Sequence, residues 1–318
     1  MASALPIIDL RAFSTVEELA PELMRVGKHP GFFYLTGHEL TDDVAKQMFD
    51  LADDFFKNTS KEEKMRFVGG GGLGYTGFRD EILAGKGHGD LKESYYIANP
   101  DAGLIQSLPR ILNEGKTRIA QFYGKCESLT DRLLQAFALG LELPRDYISK
   151  HHKGGESRLR LIHYPAIQKS AQGTSEGVED DIRAGAHTDY GSITLLFRQP
   201  SDQGGLQAFI NNEWIDIPCI KDAIVVNIAD ALEFWTCGRL RSTIHRVVFP
   251  RNESENIDRL SMPFFVQPDR DVLMEPILQG EADQEEFKDV LRRKGYPSAK
   301  PLTAEEHLTQ RLRATYGY

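Results

Sequence analysis

The apolar residues of this chain change rhythm near Ser157. Before it they recur mostly at helical spacing; after it they fall into short, strand-length runs separated by turn residues. In the first part, Val44, Met48, Leu51, Phe55 and Phe56 keep one helical face behind Thr41-Asp42-Asp43, a favourable helix start. Ser14 with Glu17 predicts a capping box that opens an earlier helix running towards Val26. Ile119, Phe122, Tyr123, Leu129, Leu133, Leu134 and Phe137 predict a long helix within 112–143 whose apolar stripe backs a sheet. Two strand-like runs, LPIIDL and GFFYLTG, interrupt this helical part.

The second part reads RLRLIHY, SITLLF, GLQAFI, WIDI, AIVVNI, STIHRVVF and SMPFFV. Many short strands at such spacing predict a sandwich or barrel. The polar stretch QKSAQGTSEGVEDDIRAGA predicts an exposed loop, and 304–314 a closing helix. No repeat and no Pro/Gly/Ser linker divides the chain, so the pattern predicts one unit, a helical N-terminal layer around a β core. Its segments are 1–110, the long helix and its flanks at 111–156, the β core at 157–270, and a helical extension at 271–318.

Composition narrows the partners. A net charge of −9 argues against nucleic acid and anionic membrane, while 41% hydrophobic residues among 318 provide for a sizeable core. The three cysteines, Cys126, Cys219 and Cys237, form no C-x-x-C pair and fit a reducing compartment. The opening MASALPIIDLRAF does not read as a signal peptide, and no apolar run approaches a membrane span. A soluble cytoplasmic protein acting on a small molecule is expected; oligomeric state is not legible.

The candidate chemistry sits in the β part. His187 and Asp189, in AGAHTDYGSITLLF, are two apart, so one short strand is expected to aim both at one point. His245, in STIHRVVF, is placed to come from a neighbouring strand. Two histidines and a carboxylate make the facial triad of non-haem Fe(II) oxygenases, which leaves positions open for co-substrate and O2. Structural zinc is a weaker reading, because such sites favour closed tetrahedral sets with cysteine. Arg259 and Ser261 repeat the spacing of two and offer a guanidinium fork and a hydroxyl to the far carboxylate of an organic acid. The stretch 68–90 holds a formal G-x-G-x-x-G at Gly69, Gly71 and Gly74, but no strand precedes it and no helix starts in it, as a dinucleotide site requires. It reads instead as a loop from which Tyr75 or Phe78 could cover the site.

In LPIIDL, GFFYLTGH, RLIHYP, HTDYGSITLLF, GGLQ, VVNIADALEFWTCGRLRSTIHRVV and RLSMPFF, taken in order, the chain resembles the isopenicillin N synthase-like family of 2-oxoglutarate/Fe(II)-dependent dioxygenases. The resemblance spans nearly the whole length and implies a double-stranded β-helix, or jelly roll, with flanking helices. It implies iron held by His187, Asp189 and His245, and 2-oxoglutarate held by Arg259, Ser261 and Tyr164. The implied reaction oxidises a C–H bond of a small molecule while 2-oxoglutarate and O2 become succinate and CO2, with ascorbate as the in-vitro reductant. The chain departs from the pattern of many plant members at Ile162, where Asn is common, and at Ala229 and Cys237, where Gly and Asn are common.

A narrower resemblance, in RLIHYPA, RAGAHTDYGSITLLF and STIHRVVFP, is to the fungal thymine dioxygenase (thymine 7-hydroxylase) branch. Arg160, Tyr190, Phe265 and Tyr75 are the expected substrate-pocket residues, suited to a flat polar heterocycle or a polar aliphatic chain. Lys92 and Glu93, in LKESYYI, read as a surface ion pair, with shaping of the pocket entrance as the alternative. Two alternatives stay open on these residues: an isopenicillin N synthase-type oxidase that uses no 2-oxoglutarate, and a non-catalytic metal- or acid-binding protein.

Overall fold

The computed structural model describes residues 5–69, 72–83, 89–100, 106–153, 155–166, 182–199, 204–250, 255–277, 280–296 and 300–316. The polar stretch before Ile182 and parts of the glycine-rich loop fall outside them. The strands are β1 (Ile7–Asp9), β2 (Phe32–Thr36), β3 (Gly74–Thr76), β4 (Glu93–Ala98), β5 (Arg158–Tyr164), β6 (Ile182–His187), β7 (Ile193–Arg198), β8 (Leu206–Ile210), β9 (Glu213–Asp216), β10 (Ile224–Ile228), β11 (His245–Val248), β12 (Arg259–Val266), β13 (Leu273–Met274) and β14 (Leu302–Thr303). The helices are α1 (Val16–Lys28), α2 (Asp42–Asn58), α3 (Lys61–Met65), α4 (Arg110–Glu114), α5 (Lys116–Gly140), α6 (Asp230–Trp235), α7 (Glu281–Lys294) and α8 (Ala304–Tyr316).

An eight-stranded sheet runs β1-β2-β10-β7-β12-β5-β4-β3, and a four-stranded sheet runs β6-β11-β8-β9. Strand alternation sorts the large sheet's residues onto two faces. Phe33 and Leu35, Leu159 and Leu161, Leu195 and Phe197, and Met262 and Phe264 join the main core with residues of α1, α2 and α5. Phe32 and Tyr34, Ile162 and Tyr164, and Val225 face the other way and pack with Ala184, Leu206, Ala208 and Val247 of the small sheet. The two sheets therefore enclose a cleft, with helices outside the larger one: a jelly-roll core with flanking helices.

The first 110 residues are not only a helical layer, as their periodicity predicts. β1 to β4 add four strands to the main sheet, with β2 paired to β10 and β4 to β5. The helix cap predicted at Ser14 and Glu17 lies one residue on. Thr15 accepts from the Glu18 backbone N–H, and the Glu18 carboxylate accepts from the Ser14 N–H at 2.8 Å. The long helix is broken at Gly115, where a Cβ would stand 2.6 Å from a Leu51 methyl of α2, so a bare glycine lets the two helices meet. The predicted loop ending in IRAGA instead closes as β6. In the 68–90 stretch a helix, α3, precedes and a strand, β3, follows, the reverse of a dinucleotide fingerprint.

Candidate active site

His187 ends β6 and His245 begins β11, and the antiparallel register sets them opposite each other, ring centroids 4.4 Å apart. The same register pairs Val247 with Ala184, so three steps on β6 answer two on β11. That bulge brings both Ala184 and His187 to the cleft, which strict alternation would forbid. Asp189 is not on the strand with His187, contrary to the sequence expectation. It lies two residues past the end of β6, in a turn whose Asp189 carbonyl accepts from the Asp230 N–H at 2.8 Å. Gly191, just beyond, approaches β12 so closely that a Cβ would meet the Val266 carbonyl oxygen at 2.3 Å.

Each imidazole is fixed by its outer nitrogen. His187 Nδ1 is 2.6 Å from the Gly185 carbonyl and His245 Nδ1 is 3.2 Å from the Thr243 carbonyl. A carbonyl only accepts, so each Nδ1 carries a hydrogen and Nε2 is the nitrogen turned towards the cleft. Those Nε2 atoms lie 3.8 and 3.7 Å from Asp189 Oδ1. The other oxygen, Oδ2, accepts from Thr194 Oγ1 at 2.6 Å and Asn227 Nδ2 at 2.8 Å. Burial, with His245 alongside, pushes His187 down to about 4, so it is neutral at pH 7. Burial opposes ionisation of Asp189, yet the flanking imidazoles and the bonds from Thr194 and Asn227 hold its carboxyl below the usual range. Two imidazole nitrogens and one carboxylate oxygen, all within 4.8 Å of one another, fit an octahedral metal bound on one face.

Deeper on the large-sheet wall, Arg259 and Ser261 sit on β12 opposite Tyr164 and Ile162 of β5. The Arg259 guanidinium lies 4.8 Å from the Tyr164 ring centroid and donates to the Gly204 carbonyl at 2.8 Å. Its Nε is buried with no hydrogen-bond partner, and no carboxylate among the described residues pairs with it. Burial lowers Arg259 to about 10, and Arg198 and Arg183 add to the push. A buried, unpaired cation is costly, and a ligand carboxylate is the group that would relieve it. The residues thus fit a dicarboxylate co-substrate.

The opposite part of the cleft is lined by Leu83, Lys92, Arg160 and Phe265. Arg160 donates to Glu81 at 2.7 Å and Ser94 at 2.9 Å and stacks 4.4 Å from the Tyr96 ring centroid. Lys92 pairs with the same Glu81 at 2.8 Å and with Asp90. Lys92 and Glu93 are therefore no surface pair: successive strand residues face opposite ways, and both are buried. Glu93 instead binds Lys64, His163 and Tyr75. Tyr75, expected over the site, is turned into that cluster and lies outside the residues lining the cleft, as does Tyr190. Ile162 lines the cleft in place of a polar side chain.

Sequence reasoning missed Thr194, Arg198 and Asn227 and preferred the surface for Lys92, yet all four line the cleft. A signal existed for two of them. Thr194 and Arg198 interrupt the apolar run of β7 at alternate positions, the pattern of a strand with one face turned to polar chemistry.

Residues 155–268 match the family model of the 2OG-Fe(II) oxygenase superfamily. Residues 5–112 match that of the non-haem dioxygenase in morphine synthesis N-terminal region. The UPF0676 protein C1494.01 of Schizosaccharomyces pombe is 37% identical across 98% of this chain and 93% of its own length. The 2-oxoglutarate-dependent dioxygenase frbA of a Dothideomycetidae species is 30% identical across 90% of this chain and 93% of its own. The full-length thymine 7-hydroxylase of Neurospora crassa, solved with alpha-KG and thymine, superposes with a TM-score of 0.78 at 28% identity over 98% of this chain and 97% of that one.

Proposed function

The chain belongs to the 2OG-Fe(II) oxygenase superfamily, and on that premise we propose how its residues divide the work. It is an Fe(II)- and 2-oxoglutarate-dependent dioxygenase that oxidises a C–H bond of a small molecule, forming succinate and CO2 from 2-oxoglutarate. Bound iron, with 2-oxoglutarate and O2, supplies the oxidising power; the protein binds, orients and shields. His187, Asp189 and His245 hold the iron, with Thr194 and Asn227 fixing which Asp189 oxygen faces it. Arg259 and Ser261 take the far carboxylate of 2-oxoglutarate, and Tyr164 supports the guanidinium through its ring face. Leu83, on the glycine-rich segment, helps exclude water from the cleft.

The substrate is a small molecule with a polar edge for Arg160 and Lys92 and a flat or apolar face for Phe265. The likeness to a thymine 7-hydroxylase structure that holds thymine supports a heterocycle among such molecules. The enzyme works in the reducing cytoplasm that its three unpaired cysteines suit. One observation carries the co-substrate assignment: a buried guanidinium, lacking any described carboxylate partner, shares a strand face with Ser261 in the cleft that holds the triad. The test is succinate release with Fe(II) and ascorbate across nucleobases, amino acids and small secondary metabolites. Succinate that rises with both 2-oxoglutarate and one substrate is the expected result. Substrate oxidation that proceeds without 2-oxoglutarate would transfer the Arg259–Ser261 pair to the substrate's own carboxylate.

A further inference from the structure

All three proposed iron ligands are suspended from one buried carboxylate that touches none of the reacting groups. Asp230, at the start of α6, is 0% exposed. Its Oδ2 accepts from the hydroxyl of Thr188 at 3.0 Å, and Thr188 is the residue between His187 and Asp189. Its backbone N–H donates to the Asp189 carbonyl at 2.8 Å. Its Oδ1 accepts from the Ser242 hydroxyl at 2.7 Å. Ser242 adjoins Thr243, whose carbonyl orients His245. The turn bearing Asp189 and the strand lead-in bearing His245 thus meet at the two oxygens of one side chain.

Two cations from the end of the chain hold that side chain. Lys294, the last residue of α7, donates to Asp230 Oδ1 at 2.6 Å and also to Thr188 Oγ1 at 3.1 Å and Ser242 Oγ at 3.3 Å. Arg311 of α8 lies 2.7 Å from Asp230 Oδ2 and donates to the Lys294 carbonyl at 2.7 Å. A second buried acid of α6, Glu233, accepts from the Ser242 N–H at 3.2 Å and from Arg293 at 3.2 Å. The two strongly bound carboxylates of α6 therefore fasten the ligand-bearing segments to α7 and α8.

We propose that Asp230, clamped by Lys294 and Arg311, is a positioning residue for the metal centre, and that the C-terminal helices set the centre's affinity through it. This rests on the assignment of His187, Asp189 and His245 as ligands. A turn outside regular structure has little of its own to hold a carboxylate at a fixed angle; a web of charge-assisted bonds supplies that rigidity.

The experiment is Co(II) titration of the full-length apoprotein, followed by visible absorption, with the apoprotein melting temperature measured beside it. Thr188→Val and Ser242→Ala remove only the hydroxyls that reach Asp230. Each should weaken Co(II) binding about tenfold or more and alter the Co(II) band shape, as outer partners of metal ligands typically do. Thr188→Ser should restore both. Lys294→Met should weaken binding likewise, and Asp230→Asn more than any of them. Unchanged affinity in Thr188→Val and Ser242→Ala, with a lowered melting temperature, would make the web packing alone and overturn the proposal. Wild-type protein that takes up no Co(II), or His187→Ala that binds as wild type does, overturns the ligand assignment and this inference with it.

Discussion

The two faces of the large sheet are built from the same strands and do opposite things. On β12, Met262, Phe264 and Val266 turn towards the helices, and Phe264 meets Tyr123 of α5 edge-on at 4.8 Å. Arg259, Ser261 and Phe265 turn to the cleft from the alternate set of positions on the same strand. Histidines show the same division. On the helix side both ring nitrogens of His152 are used, by the Ile148 carbonyl and the Ser192 hydroxyl. In the cleft His187 and His245 spend one nitrogen on a carbonyl and keep the other pointed at Asp189. One face is satisfied internally and confers stability; the other leaves bonding capacity unspent and so binds.

This contrast predicts that cleft substitutions remove ligands and leave the fold, while helix-side substitutions do the reverse. The largest effect is expected from His187→Ala, which should abolish metal binding and turnover while the apoprotein melts within a few degrees of wild type. Next is Phe264→Ala, which should cost about 3–5 kcal/mol in urea unfolding through the cavity it leaves. The folded fraction should keep its 2-oxoglutarate requirement within about twofold. A large change there would mean that the two faces are not independent.

Arg259→Leu should raise the half-saturating 2-oxoglutarate concentration about 10- to 100-fold, the worth of one charged hydrogen-bonded pair. Its unfolding stability should hold or rise, since an unpaired buried cation goes with it. A rise only in the substrate requirement would assign the arginine to the substrate instead.

The smallest effect concerns His307 on α8, 1% exposed and bonded to Tyr296 at 2.6 Å. Burial pushes His307 from 6.5 down to about 3. The native protein therefore leaves it neutral where the unfolded chain binds a proton. Its contribution is complete above pH 6.5 and is lost as pH falls from there towards 3. The loss is at most about 1.4 kcal/mol per pH unit. His307→Gln should flatten the pH 7 to pH 5 change in urea midpoint; an unaltered slope would show that His307 titrates normally.

Much of the cleft was legible because strand alternation is a local rule. His245 in STIHRVVF, Arg259 two before Ser261, and Tyr164 on RLRLIHY all fall where period two puts them. What escaped the sequence violates or outruns that rule. The bulge between Ala184 and His187 resets the face within one strand, and Asp189 leaves the strand altogether. Lys92 looked exposed because a lysine beside a glutamate usually is; its burial depends on Glu81 and Asp90 arriving from the glycine-rich segment. β1 and β2 were read as two strands interrupting a helical layer and β3 and β4 were not read as strands, since strands this short carry no sign of the distant partner that completes them.

The amino-acid order alone nominated the candidate metal ligands and the arginine suited to a carboxylate, because residue chemistry and two-residue periodicity are properties of a few neighbouring positions. Convergence was decided elsewhere. Asp189 is steered by Asp230, and Asp230 is held by Lys294 and Arg311 from the far end of the chain. Such contacts exist only once sheets and helices have packed, for no local pattern encodes the distance between residues so far apart along the chain.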